Sequence, residues 1–285
     1  MAHEAARFAG DWLALREPAD HAARVARFAD QLAEWLRDRD RLRVIDLGAG
    51  TGSNLRWLAP RLDVEQDWLL IDHDDALLAM ARQAPVVADA GGRAVRISTR
   101  CMDLGGLPRE LFDNAGLVTA AAIFDLVSKD WIEALAGRIA GCGAAALFAL
   151  TVDGRRGFVD ERGRRLEDER DARLEALFNR HQQRRKGMGE ALGPEAADVL
   201  PALLEKAGLR TWMARADWRL DAGQAHTPAL GAALLQDWMQ AAVAQSPHDA
   251  AWIEAWYRAR RADLERGRVG LVVGHVDILA LPQAK

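Results

Sequence analysis

The sequence predicts an α/β fold: a doubly wound, mostly parallel sheet with helices on both faces and a helical flap or insertion. Three observations carry this. Short apolar runs alternate with amphipathic segments five times between about 42 and 152. Several runs are apolar on both faces, as expected of strands covered by helices on both sides. The first run, "LRVIDL", leads straight into "GAGTG", a turn with glycines at alternate positions. Right-handed crossovers then gather the carboxyl ends of the strands at one edge, where such sheets bind ligands.

Taken in order, residues 21–37 place Val25, Phe28, Leu32 and Leu36 at helical spacing. Residues 42–47 form a buried strand and "GSNLRWLAPRL" a helix. A second strand spans 67–72 and a second helix follows, capped by Asp74 or Asp75. "AVRISTRC" alternates as a third strand and "GLVTAAAI" is a fourth. Ser128 caps the next helix, and "GAAALFALTV" is a fifth strand. Beyond it, about 154–190 is charged and glycine-ended, an inserted flap that is partly helical. A helix stopped by Gly208, a strand over 210–220, a helical insertion over about 226–266 and a last strand bulged at Gly274 complete the chain. Residues 1–40 are expected to form an N-terminal helical cover and 41–285 one ligand-binding domain.

Composition narrows the function. Half of the 285 residues are apolar, 28% are charged and the net charge is −4. That balance suits a globular protein and argues against a nucleic-acid partner. No apolar run reaches the roughly 20 residues that span a membrane. The opening segment carries acids and lacks a long apolar core, so a secretory signal is not expected. Cys101 and Cys142 give neither a metal-ligand spacing nor a disulfide framework, which suits a cytoplasmic location without a bound metal.

The glycine turn asks for a ligand. Gly48, Gly50 and Gly52 permit unusual backbone angles and close approach to main-chain N–H groups. A dinucleotide site wants G-x-G-x-x-G/A, whereas Ser53 fills the last position here. Asp46 precedes the turn and would repel a pyrophosphate, but it would attract a cation or an ammonium group. S-adenosylmethionine (SAM) carries both.

At these residues "VIDLGAGTG" resembles the first motif of class I SAM-dependent methyltransferases, and the later pieces fall in family order over roughly 40–152. The resemblance implies a Rossmann-like, seven-stranded sheet and SAM as cofactor. It implies a donor held by Asp46, Gly48, Ala49, Gly50, Thr51 and Asn54. Asp72, closing "LLIDHD" beside His73, would accept from both ribose hydroxyls. Asp103 would meet the adenine amino group and Leu104 would supply an amide. Ala121, Ala122 and Asp125, in "GLVTAAAIFDLVS", would lie near the sulfonium. A leading helix often covers the pocket in this family, so Arg16 or Arg24 would meet the methionine carboxylate, although Pro18 sets a boundary among these residues.

Methyl transfer by in-line displacement needs alignment of donor and acceptor more than acid–base groups. A base is required only where the acceptor must lose a proton. His181 shares a helical stripe with Leu174, Leu177 and Phe178, so it faces the sheet or the cleft, either as the base or substrate partner or as a core histidine satisfied by a backbone carbonyl. Arg180, Arg184, Arg185 and Lys186 form either an anion site or a solvated helix end, and Gly187 and Gly189 would permit a moving lid. Trp252 and Trp256 fit helix packing. The expected function is methyl transfer to a small molecule. The alternatives are a nicotinamide-dependent oxidoreductase, a non-catalytic SAM-binding module, and an RNA or protein methyltransferase.

Overall fold

Strand β1 (Arg41–Leu47) is central, and its side chains alternate between two apolar layers. Leu42 and Val44 face one layer, Ile45 and Leu47 the other. The computed structural model describes residues 10–186 and 189–283. β1 pairs in parallel with β2 (Glu65–Asp72) and with β4 (Leu117–Ala121). β3 (Arg96–Cys101) adds outside β2, and β5 (Ala145–Val159) outside β4. The far side is antiparallel: β8 (Gly270–Pro282) pairs with β5, and β6 (Leu209–Arg215) and β7 (Trp218–Leu220) both pair with β8. β6 and β7 share the edge position, so eight strands fill seven places in the order β3-β2-β1-β4-β5-β8-β6. This is a Rossmann-like sheet with an insertion.

Helices α2 (Ala26–Trp35) and α3 (Ser53–Leu58) bury Phe28, Leu32, Leu55 and Leu58 on one face. Helix α4 (Asp75–Gln83) adds Leu78. Helices α5 (Lys129–Cys142) and α7 (Ala196–Lys206) cover the other face with Ile132, Leu135, Leu200 and Leu204. A third apolar cluster lies along the second half of β5 and takes in Ala149, Leu150 and Phe158. It joins Phe158 to helices α6 (Glu169–Gln182), α8 (Thr227–Gln245) and α9 (Ala250–Glu265) through Leu177, Trp238 and Trp256. The expected caps are present: Asp74 Oδ1 accepts from Ala76 N at 2.9 Å, and Ser128 Oγ from Trp131 N at 3.3 Å.

Several boundaries differ from the sequence expectation. Helix α1 (Gly10–Ala23) runs through Pro18, and the chain breaks instead at Arg24–Val25, inside the helix expected over 21–37. The cause is distant: Val25 N donates to Asp277 Oδ2 at 2.9 Å. Residues 154–159, expected in the flap, continue β5 because β8 is long enough to pair with them. The strand expected over 210–220 is split at Ala216–Asp217, opposite a register shift between Val273 and His275. Gly274 sits in that bulge, where a Cβ would collide with Asp153. No described helix is long and apolar enough to cross a membrane.

Candidate functional site

The glycine turn is built by its own backbone. Gly48, Gly50 and Gly52 have φ of +65°, +52° and +82°, angles that L side chains rarely adopt. Ala49 N donates to Ile71 O at 2.9 Å, which ties the turn to β2. Gly50 N donates to Asp72 Oδ2 at 2.8 Å, and Asp74 N to Asp72 Oδ1 at 3.0 Å. Asp72 is buried and thus fixed against the turn before any ligand arrives. His73 Nδ1 lies 3.3 Å from Asp72 Oδ1 at the rim.

Under the turn is a buried polar chain. Asn54 Nδ2 donates to Asp46 Oδ1 at 2.8 Å and to Thr119 Oγ1 at 2.9 Å. Thr119 Oγ1 donates to Leu147 O at 2.7 Å. Arg24 Nη1 donates to Asn54 Oδ1 at 2.8 Å, and Arg24 Nε reaches Asp277 Oδ2 at 3.4 Å. Asp277 also accepts from Val25 N and Leu150 N, both at 2.9 Å. Two atoms of this chain have no hydrogen-bond partner among the described residues: Asp46 Oδ2 and Arg24 Nη2. Burial pushes the Asp46 carboxyl up to about 7, against the pull of Asn54 and Arg24, and the charge of Asp72 adds to the rise. Burial likewise lowers the Arg24 guanidinium, against the charges of Asp277 and Asp46.

Helix α1 roofs the turn. A Cβ on Gly50 would sit 3.2 Å from Leu13 Cδ1. Glu17 pairs with Arg56, whose Nη1 donates to Thr51 O at 2.6 Å. Trp57 Nε1 donates to His21 O at 3.2 Å. Arg16 is committed elsewhere: it forks onto Asp20 at 2.9 and 3.0 Å and lies over the Trp218 ring. Of the two arginines expected near a carboxylate, Arg24 alone keeps a buried N–H without a partner among the described residues.

The remaining predicted residues spread along the same edge. Asp103 is exposed and accepts from Gly105 N at 2.7 Å, while Leu104 is buried with its carbonyl held by Trp131 Nε1 at 2.7 Å. Ala121 ends β4, and Ala122 follows at φ +55° with its N–H on Ala149 O. Both pack against the third cluster. Asp125 is buried and accepts from Gln182 Nε2 at 3.3 Å. That bond brings the last turn of α6, with the half-buried His181, to the exit of β4. Arg184 donates to Ala244 O and to Gln245 Oε1, both at 2.9 Å, and so caps α8. Gly189 packs on Ser128, and Gly187 lies outside the described residues.

Sequence reasoning missed Arg156. It sits on the extension of β5 and is buried, with its guanidinium 3.8 Å from the Phe178 ring centroid and 5.5 Å from that of Trp238. Nε and Nη1 have no partner among the described residues. Burial pushes it down to about 9, although Glu175, Asp153 and Asp125 oppose this. "DGRRGF" has the look of a loop. The available signal was the length of the final strand, which requires a partner as long as itself.

No protein-family model matches the chain, and no curated protein matches it in sequence. Among solved structures, a cyclopropane synthase from Mycobacterium tuberculosis is similar over 96% of this chain and 94% of its own, at 14% identity and a TM-score of 0.48. The YcgJ protein from Bacillus subtilis is similar over 92% and 100%, at 12% identity and a TM-score of 0.47. A SAM-dependent methyltransferase from Thiobacillus denitrificans, solved with S-adenosylhomocysteine, is similar over 97% and 100%, at 17% identity and a TM-score of 0.43. At these scores the likenesses carry no functional argument, which rests on the residues of the edge.

Proposed function

We propose that the chain is a class I SAM-dependent methyltransferase acting on a small molecule. One observation carries the reading. Asn54 links a buried acid to a buried base, and each keeps one atom without a partner: Asp46 Oδ2 and Arg24 Nη2. A zwitterionic amino-acid group satisfies both, with its ammonium on Asp46 and its carboxylate on Arg24. Buried polar atoms left unpaired cost about 1–3 kcal/mol each, so a ligand that pairs them gains that much in binding. A pyrophosphate offers no hydrogen-bond donor to Asp46 and repels it once it ionises, which disfavours a nicotinamide dinucleotide.

The rest of the edge suits the same ligand. Each Asp72 oxygen holds one backbone N–H and retains acceptor capacity for a ribose hydroxyl. Gly48, Ala49, Gly50 and Thr51 let a nucleoside approach the main chain. Asp103 and the amide of Leu104 hold the adenine end, with His73 at the rim. SAM supplies an activated methyl on a positive sulfur. The protein's part is alignment: Ala121 and Ala122 leave room at the exit of β4, and α1 with Leu13 excludes water over the turn. Where the acceptor carries a proton, His181 and Asp125 at the mouth of α6 are the groups placed to take it.

The test is calorimetry with S-adenosylhomocysteine and with NAD on the full chain. Binding of the first without the second is the expected result. Binding of NAD alone overturns the reading.

A further inference from the structure

The acceptor side carries an unassigned site, and its argument rests on the methyltransferase reading above. Arg156 is a buried cation whose Nε and Nη1 have no partner, and it forms no ion pair among the described residues. Its nearest carboxylates have other bonds. Asp153 is bound by Arg155, Glu175 Oε2 accepts from the Arg156 backbone N–H at 2.8 Å, and Asp125 accepts from Gln182. Two buried acceptors without partners among the described residues stand on the α6 face that crosses this region, Asn179 Oδ1 and Gln182 Oε1. Their amide nitrogens are fixed on Gly154 O at 3.0 Å and on Asp125 Oδ2 at 3.3 Å, so the oxygens cannot turn away without breaking those bonds. Phe178 and Trp238 wall the guanidinium, and the cluster they belong to also takes in Ala121 and Ala122. Gln182, through its bond to Asp125, joins these groups to the exit of β4, where the methyl would be presented.

We propose that Arg156, between Phe178 and Trp238, binds a carboxylate of the methyl acceptor, and that Gln182 and Asn179 accept hydrogen bonds from a hydroxyl or amine on the same molecule. The substrate class is a small apolar or aromatic carboxylic acid. A planar monoanion fits better than a phosphate dianion, because one cation must balance it with Glu175, Asp153 and Asp125 already near. The carboxylate anchors the acceptor, and the atom that is methylated lies elsewhere on it.

The experiment loads the full chain with S-adenosylhomocysteine and titrates phenylacetate, cinnamate and hexanoate, each against its primary amide, following tryptophan fluorescence. At least one acid is expected to bind about tenfold or more tightly than its amide, and Arg156→Met is expected to remove that preference while S-adenosylhomocysteine affinity stays unchanged. The comparison of acid with amide needs no variant, so it holds even if Arg156→Met fails to fold. Absence of preference in the loaded wild type, including no binding of any probe, overturns this inference alone. Failure of S-adenosylhomocysteine to bind overturns the methyltransferase reading instead. Arg156→Met that folds and keeps the preference overturns the assignment of Arg156.

Discussion

The two sides of the carboxyl edge differ in where their residues come from. On the donor side, Asp46, the three glycines, Asn54 and Asp72 all belong to one strand–turn–helix–strand unit. The turn is held to Asp72 and Ile71, and Asp46 to Asn54, by bonds within that unit, while Asn54 reaches out to Thr119 and Arg24. On the acceptor side, Arg156, Phe178 and Trp238 come from β5, α6 and α8, and polar atoms of Arg156, Asn179 and Gln182 lack partners. A donor common to many reactions suits a preformed local cradle. A particular acceptor suits a pocket assembled from the additions to the sheet, whose polar groups wait for it.

Asp277 ties the two sides, since it holds Arg24, Val25 and Leu150. Asp277→Ala leaves a buried cation and two N–H groups unpaired, so a loss of about 3–5 kcal/mol is expected in chemical denaturation. A loss under about 1 kcal/mol would mean the sides are not coupled there. The donor cradle itself is probed by Gly48→Ala, whose Cβ would lie 2.7 Å from Ile123 Cγ2 at a positive φ. About 2–4 kcal/mol of stability and most of the S-adenosylhomocysteine affinity should go. Gly137→Ala, on exposed helix surface with nothing near the new carbon, is the control and should gain up to about 1 kcal/mol. The smallest effect is expected at Asp103→Ala. Its carboxylate is exposed, so S-adenosylhomocysteine affinity should fall only about threefold, equivalent to roughly 0.7 kcal/mol, by calorimetry.

The same difference decided what could be read from the sequence. Strands β1 to β5, the caps Asp74 and Ser128, the glycine turn and the abutting Asp72 were all legible, because each is set by neighbours in the chain. The helix break at Arg24–Val25 was not, since its cause is a carboxylate on β8. Pro18 was the local signal, and the helix runs through it. The extension of β5 was hidden by its charges: Arg155 pairs with Asp153 and also with Asp217 at the distant β6–β7 break. Arg156 could not be singled out among neighbouring arginines, because only the packing of α6 and α8 buries it. Arg16 and Arg24 looked equivalent until Asp20 and Trp218 claimed the first.

The central claim is that Asp46 awaits a cation, and proton linkage tests it most directly. In the unliganded protein the Asp46 carboxyl titrates near 7, whereas an unfolded aspartate does so near 3.8. Stability from this group is therefore complete at low pH and declines as pH rises between those values, because the unfolded chain releases a proton that the folded one keeps. A bound ammonium favours the ionised form, so binding expels that proton. Calorimetry of S-adenosylhomocysteine from about pH 6 to about pH 8 should show affinity rising roughly tenfold with proton release in the wild type, and neither change in Asp46→Asn. A pH-independent wild type, with Asp46→Asn binding equally well, would contradict the account.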